Sequence, residues 1–511
     1  MVEQLPAIIV LLPLFTAMLV LLLGMWRHSF ALPITVIGIG LTLFATVKQL
    51  MEVILADGHK ITYYLGGWDN PIPVGIHLAV DPINAIVLIV IALVGFITTV
   101  YSLARVPEET PGKIAQFYCL FLLLICGLLG MTISADAFNV FVLLEVSSLT
   151  SYALIAMGNS KRAGVASFNY VIMGTIGASF YLLGVGYLLA RTGSLNMADI
   201  QNIISSQDLY NSPAIHVAFI FIVLGLMIKM AFFPLHGWLP NAYSYSPSSS
   251  SCILAPLVTK VSIYVTIRMI LTVFGPIYVF ENLGWSNIMV WLAVVSIVAG
   301  SILALSQTEL KRMFCYLIVA EVGYMVGGIW IANHWGMVGA IYHIASDALM
   351  TLCLFLAASL IWRQTRSHKI SSLSELTKKM PFTMAGFVVA ALAMIGVPPT
   401  CGFFSKWFLI RGGIESGHWE YVVALLFSSL VNAILFFRVI EICFFGKKPA
   451  EGHGHHEADH SNQSTWNEAP PAALFALLST ASLLILLGVF NDPIVQLIKK
   501  SLIDLPIIGI G

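Results

Sequence analysis

The sequence predicts an all-α, polytopic membrane protein of about fourteen transmembrane helices, and three observations carry that prediction. Only 10% of the 511 residues are charged, against about 25% in a soluble domain. Apolar residues make up 59% of the chain. They fall in continuous stretches of 18 residues or more, long enough to cross a bilayer and unlike the short alternating segments of a transmembrane β-barrel. A soluble enzyme is excluded. The 25 basic residues balance the 25 acidic ones, so the chain lacks the basic footprint of a nucleic-acid partner.

At about 20 residues per crossing, the spans run 6–26, 31–52, 80–103, 114–132, 135–157, 164–190, 214–234, 249–274, 286–306, 312–332, 335–361, 383–411, 419–445 and 470–490. The first is too long for a signal peptide and lacks a basic start and a small-residue cleavage site. Loops on one side hold Arg27, Arg105, Lys113, Lys161, Arg162, Lys311, Arg312, Arg363, Arg366, Lys369, Lys378, Lys379, Lys447 and Lys448, fourteen in all. The other side, termini included, holds five: Lys60, Arg191, Arg411, Lys499 and Lys500. Basic loops favour the cytoplasm, so both termini are expected outside.

No connection is long enough for a second domain, and residues 1–511 read as one transmembrane domain. The longer connections are 191–213 and 446–469. The second carries His453, His455, His456 and His460 and reads as a solvated loop rather than a metal site. Gly66 to Asp81 (GGWDNPIPVGIHLAVD) is a turn-rich entry to the third span. The seven cysteines lie in apolar stretches without a C-x-x-C pattern and read as small buried hydrophobes. No metal or cofactor motif is present, so redox or hydrolytic chemistry is not expected of this chain itself.

The informative residues are ionisable groups inside spans, where each charge costs about 2.5–3.5 kcal/mol at a helix centre. Glu145 lies in FVLLEVSSLTSY of the fifth span, and Lys229 sits five residues before Pro234 in the seventh. Lys260 is mid-way along the eighth span and Glu321 is in the tenth. His343 and Asp347 are one turn apart in the eleventh, and Lys406 is in the twelfth. One buried acid–base pair would serve helix packing equally well. Seven such groups over six spans would not, because small residues pack membrane helices without that desolvation. They read as an ion-translocation set. Burial pushes lysine and carboxyl pKa values toward neutrality and an opposite charge pulls them back, so a Lys–Glu pair in a membrane is a switchable proton site; histidine titrates in that range unaided. Arg438 and Glu441, three apart near the end of the thirteenth span, are spaced to pair on one face and read as structural. Arg268 takes no role.

Two spans look interrupted, the seventh at Pro234 and the twelfth at Gly396-Val397-Pro398-Pro399. Proline breaks the hydrogen-bond ladder, which a membrane tolerates where the freed carbonyls find partners or line a cavity. On the expected topology Lys229 lies toward the cytoplasmic side, Lys260 at mid-depth and Lys406 toward the outside.

At these residues the chain resembles the antiporter-like subunits shared by respiratory complex I, membrane-bound hydrogenases and Mrp-type multisubunit sodium/proton antiporters. The motifs are FVLLEVSSLTSY with Glu145, KMAFFPLHGWLPNAYSYSP with Lys229 and His236, Lys260, LSQTELKRMFCYLIVAEVGY with Glu321, the helix beginning with His343, and VPPTCGFFSKW with Lys406. The GGW stretch resembles the branches of the Mrp-type D subunits and the hydrogenases more than complex I. The resemblance implies two inverted five-helix repeats, 111–276 and 284–445, flanked by 1–110 and 446–511, with the seventh and twelfth helices discontinuous. It also implies that Glu145 and Lys229 are the coupled pair of the first repeat, Lys260 the connecting lysine, Lys406 the terminal site of the second, and His236 the histidine beside the break. Expected partners are other membrane subunits of a hetero-oligomeric complex in a prokaryotic cell (inner) membrane, with H⁺, Na⁺ or both as cargo. Many relatives carry a His-x-x-x-His-x-x-x-Lys run where this chain has His343, Asp347 and Thr351, so one basic link is acidic and another is a neutral hydroxyl. Two readings follow: an ion-translocating subunit of an Mrp-type cation/proton antiporter, or a proton-pumping subunit of a redox-driven complex.

Overall fold

A computed structural model describes residues 4–66, 76–446 and 467–502 of the chain. Most of the turn-rich stretch (67–75) and the loop holding His453, His455, His456 and His460 lie outside them. Helices α1 (Leu5–Trp26) and α2 (Ala31–Leu55) lead into a hairpin, β1 (Ile61–Tyr64) and β2 (His77–Val80). The strands are antiparallel, with Ile61 opposite Val80 and Tyr64 opposite His77. α3 (Pro82–Ser102) starts on Asp81, whose side chain accepts from the Asn84 backbone N–H while the Asn84 side chain accepts from Asp81 N–H. That reciprocal cap fixes the helix to the end of β2. A short α4 (Val106–Glu109) precedes α5 (Ile114–Ile133), α6 (Ala137–Ala156) and α7 (Lys161–Thr192). Then come α8 (Met197–Ser206), α9 (Pro213–Lys229), α10 (Leu239–Tyr245) and α11 (Ser248–Met269). α12 (Ser286–Leu305), α13 (Leu310–Trp330), α14 (His334–Thr365), α15 (Leu376–Lys379) and α16 (Pro381–Ile395) follow. The chain closes with α17 (Cys401–Glu415), α18 (Trp419–Phe445), α19 (Pro471–Val489) and α20 (Asn491–Leu502).

Among the described residues, twelve helices are long and apolar enough to cross a membrane, and two shorter apolar helices, Pro213–Lys229 and Pro381–Ile395, stand beside them. The sequence-expected span at 383–411 is divided between α16 and α17, and the one at 214–234 stops at Lys229. Two elements were not expected. Asn196 accepts from the backbone of Ala198 and Asp199 and so nucleates α8 within the 191–213 connection. Beyond the last span, α20 buries Val495, Ile498 and Leu502, at helical spacing, against the bundle. Its Lys500 pairs with Asp57, and Lys499 lies 4.1 Å from the ring centre of Trp335.

α11, α13 and α14 form the interior, buried over nearly their whole length, while α1, α2, α7, α12 and α18 present Leu, Ile, Phe and Trp outward. Close helix approach rests on small residues, as membrane packing requires. A Cβ on Gly127 of α5 would meet Ser147 N at 2.9 Å and Leu143 O at 3.0 Å on α6. On α12, one on Gly300 would meet Ala320 N at 2.7 Å and Tyr316 O at 3.0 Å on α13. Pro256 inside α11 cannot bond the Cys252 carbonyl, and Thr98 of α3 donates to it instead, at 3.5 Å.

The two ends of the bundle differ. A basic face carries Arg105, Arg162, Lys311 and Arg366 around a cavity of about 620 Å³, with Arg363 paired to Glu108 of its lining. The opposite, hairpin face carries β1–β2, α8 and the Arg268 end of α11. The expected Arg438–Glu441 pair is absent: both side chains are exposed and form no ion pair with each other, because the outward face of α18 leaves two long side chains free to spread. Arg268, which takes no role in the sequence reading, instead forms an ion pair with Asp81.

Candidate ion-translocation site

α9 ends at Lys229 because Ala231 takes a left-handed backbone (φ 57°) and Pro234 cannot extend the ladder. Lys229 Nζ donates to Ser148 Oγ at 2.7 Å and lies 3.5 Å from Glu145 Oε1, both partners on α6 one turn apart. The lysine side chain is 3% exposed and the glutamate 27%. The end of α9 leaves carbonyls without helical partners, and Trp238 Nε1 donates to one of them, Ile228 O, at 3.0 Å. His236 is half-buried in the turn, its ring 5.2 Å from that of Phe233 and its Nδ1 without a hydrogen-bond partner among the described residues. It makes no hydrogen bond to Glu145 or Lys229.

Lys260, central on α11, lies 2.9 Å from Asp347 Oδ2 on α14. Thr351, one turn beyond Asp347, joins both: its Oγ1 donates to Asp347 Oδ1 at 2.9 Å and accepts from Lys260 Nζ at 3.3 Å. Lys260 also donates to Ala255 O at 3.3 Å. Both charged side chains are at most 1% exposed. The neutral hydroxyl that interrupts the basic run in sequence thus bridges the ammonium and the carboxylate in space.

One turn before Asp347, His343 reaches α13 and α17 at once. Its Nε2 is 2.6 Å from Glu321 Oε2 and its Nδ1 is 2.9 Å from Ser405 Oγ. Ser405 Oγ lies within hydrogen-bond reach of Gly402 O, at 3.0 Å, as well as of His343 Nδ1, so its hydroxyl can serve either tautomer of the ring. One proton bridges the 2.6 Å contact between the ring and the Glu321 carboxyl, while the other ring nitrogen faces a hydroxyl that can donate or accept.

Lys406 follows Ser405 on α17. Its Nζ donates to Met394 O at 2.6 Å and Ile395 O at 3.5 Å, the carbonyl end of α16, and to Ser429 Oγ at 3.4 Å. An ammonium is favoured at a helix C-terminus, where carbonyls lack partners and the dipole is negative. Gly396 makes this end possible. Its φ of 92° suits glycine, and a Cβ there would press on Lys406 Cδ at 3.2 Å.

Seven of the eight sequence-selected residues thus fall into four groups: Glu145–Lys229, Lys260–Asp347, Glu321–His343, and Lys406 beside the last through Ser405. His236 stands apart. Sequence reasoning passed over Ser148, Ser405 and Ser429, whose hydroxyls complete these groups. Ser148, one turn from Glu145, and Ser405, next to Lys406, were within reach of a helical-spacing argument; Ser429 carries no such signal. Among the described residues, no group of three or more His, Cys, Asp or Glu side chains converges to hold a metal ion.

The profile of the NADH:quinone oxidoreductase/Mrp antiporter transmembrane family matches residues 134–432, which contain every group just described. The chain belongs to that family. It is 41% identical over 504 residues to the N subunit of a NADH-quinone oxidoreductase of Desulforudis audaxviator, covering 97% of this chain and 98% of the relative. It is 28% identical over 473 residues to the D subunit of a Na⁺/H⁺ antiporter of Bacillus subtilis, covering 92% of each. A chain of an archaeal respiratory complex, the membrane-bound sulfane sulfur reductase, superposes with a TM-score of 0.85 at 28% identity, covering 98% of this chain and 97% of that one. A chain of the Mrp complex from Dietzia sp. superposes at 0.87 and 22% identity, with 99% and 97% covered, and shows the shared fold. This family member is a multi-pass membrane protein of the antiporter-like type found in Mrp and complex I-like assemblies. Over the whole chain, identity to the oxidoreductase N subunit exceeds that to the antiporter D subunit.

Proposed function

We propose that this chain is the ion-translocating membrane subunit of a multisubunit Mrp-type cation/proton antiporter, moving protons, sodium ions or both through Glu145, Lys229, His236, Lys260, Glu321, His343, Asp347 and Lys406. The observation that supports it best is the set of three acid–base contacts in one apolar bundle: Lys229–Glu145, Lys260–Asp347 and His343–Glu321. When the partners of such a buried pair part, the base releases its proton and the carboxylate takes one up, and when they rejoin both return to their charged forms. In this reading the bundle is a single domain of fourteen crossings. α9 with α10 and α16 with α17 are the discontinuous members of two inverted repeats, 111–276 and 284–445. The basic face looks into the cytoplasm of a prokaryotic cell, both termini lie outside, and other membrane subunits complete the assembly.

The test is ion flux in vesicles carrying the whole complex. Lys229→Ala and Glu145→Ala should abolish transport and Glu145→Asp should retain part of it. Wild-type rates in both alanine variants would defeat the relay. The second reading, a proton-pumping subunit of a redox-driven complex, is favoured by the 41% identity to the N subunit of a NADH-quinone oxidoreductase. Proton movement driven by a sodium gradient selects the antiporter; movement only during electron transfer selects the pump.

A further inference from the structure

The cavity at the basic face lies outside the translocation set, and its lining is made largely of helix ends. Three long helices begin on it: α7 just after Ser160, α11 at Ser248 and α13 just after Glu309. A helix N-terminus presents N–H groups without helical partners and the positive end of the helix dipole. α14 finishes on the same cavity, and there Arg366 follows its last turn. The backbone and the side chains therefore favour the same sign of charge inside.

Pairing leaves that lining unbalanced. Arg105 holds Glu108 at 2.5 Å and Glu109 at 3.0 Å, and Glu109 also accepts from the Ser249 backbone N–H at 2.9 Å. Arg162, Arg366 and Lys311 meet no carboxylate among the described residues. Arg162 reaches the Tyr245 hydroxyl at 3.3 Å, and Arg366 lies over the Trp362 ring at 5.2 Å. Both are exposed, so water solvates their charge. Lys311 is not: it is 4% exposed, and its Nζ has only Ser248 Oγ at 3.4 Å and Ser251 Oγ at 3.2 Å. Two distant neutral hydroxyls do not replace the water an ammonium loses on burial; a counterion does. Against these three cations the lining offers Glu309, half-buried and without an ion pair among the described residues.

We infer that this cavity binds a phosphate-bearing anion, with Lys311 as the deep anchor and Arg162 and Arg366 holding it from the mouth. The room suffices: about 620 Å³ lies within the range of small-ligand sites, about 300–1,000 Å³. A phosphate group has several oxygens and takes an ammonium on one side while a guanidinium fork engages another, in charge-assisted hydrogen bonds. The cavity sits where spans end, at the boundary between hydrocarbon and water, and basic pockets between membrane helices at that level take lipid headgroups. The phosphate therefore comes from an anionic phospholipid or from solution. Bound there, it ties the first turn of α11, the helix of Lys260, to the first turn of α13, the helix of Glu321. The site does not depend on the translocation reading.

The test uses the solubilised whole complex after delipidation, with the melting temperature followed in two titrations. One adds inorganic phosphate against chloride at constant ionic strength; the other adds phosphatidylglycerol against phosphatidylcholine. A ligand that binds the folded state raises the melting temperature, so the wild type should respond in at least one titration. A response to phosphatidylglycerol alone identifies a headgroup; a response to inorganic phosphate identifies a site open to phosphate from solution. In the responding titration, Lys311→Met should raise the half-saturating concentration about tenfold or more, the loss of one hydrogen-bonded charge. The double variant Arg162→Gln, Arg366→Gln should do the same. Its two positions are exposed, so it decides the matter if Lys311→Met fails to assemble. No response of the wild type in either titration, or a half-saturating concentration unchanged in the variants, would overturn the site.

Discussion

The Lys229–Glu145 and Lys260–Asp347 pairs join the same kinds of charge in different enclosures. In the first, the charged atoms are 3.5 Å apart, a serine hydroxyl holds the lysine more closely than the carboxylate does, and the glutamate is 27% exposed at the edge of the bundle. The second is closed at 2.9 Å, bridged by Thr351, and sealed between α11 and α14. Separating charges in a sealed, low-dielectric site costs far more than at an edge. The first pair is the one that opens easily, and the second is the one whose opening needs a coupled change elsewhere.

The sharpest way to break this comparison is to remove one carboxylate from each pair. Asp347→Ala leaves a buried ammonium uncompensated and should lower stability by about 3–5 kcal/mol. Glu145→Ala should cost about 1 kcal/mol, because Lys229 keeps Ser148 and the lost partner was already in part exposed. Thermal unfolding of the solubilised complex measures both, and equal losses would erase the distinction.

Glu321→Gln probes the Glu321–His343 contact. The amide still meets His343 but cannot exchange a proton with it, so ion flux should fall about 100-fold while the melting temperature hardly moves. A large drop in melting temperature with flux retained would make the couple structural.

Hydroxyl removal tests enclosure more gently. Thr351→Val should cost about 2 kcal/mol, since both Lys260 and Asp347 lose a partner they cannot replace. Ser148→Ala should cost about 1 kcal/mol, because Glu145 is free to close on Lys229.

The last effect lies outside both pairs. Burial, with Lys60 and Arg268 adding positive charge, lowers the His77 imidazole from 6.5 to about 4. Its folded pKa is depressed, so the unfolded chain takes up the proton first as pH falls. The stability His77 contributes is complete above pH 6.5 and is lost progressively toward pH 4. His77→Gln should flatten that stretch of a melting-temperature-against-pH curve, and an unchanged slope would assign it to other groups.

Span positions were readable because a bilayer imposes length and polarity on every crossing. The ends of α1, α5, α12 and α18 fall within a residue or two of the hydropathy limits. The buried charges were readable because a membrane makes them rare. Their partners were not. Nothing local says that Lys260 meets Asp347, 87 residues on, rather than Glu321. Thr351 looks like a gap when residue types are followed along one helix, while its role is set by a lysine on another. α20 escaped because its apolar residues form a narrow stripe on a surface helix. Arg268 escaped because a residue near a span end can reach solvent, and the carboxylate it meets belongs to the cap of α3.

α14 is a single helix of 32 residues, buried along nearly its whole length, with His343 and Asp347 one turn apart on it. The two residues are fixed to one shaft. A rotation of α14 that draws His343 from Glu321 shifts Asp347 relative to Lys260 in the same motion, so two acid–base contacts on different neighbours are geared together by one backbone, with no side chain passing directly between them.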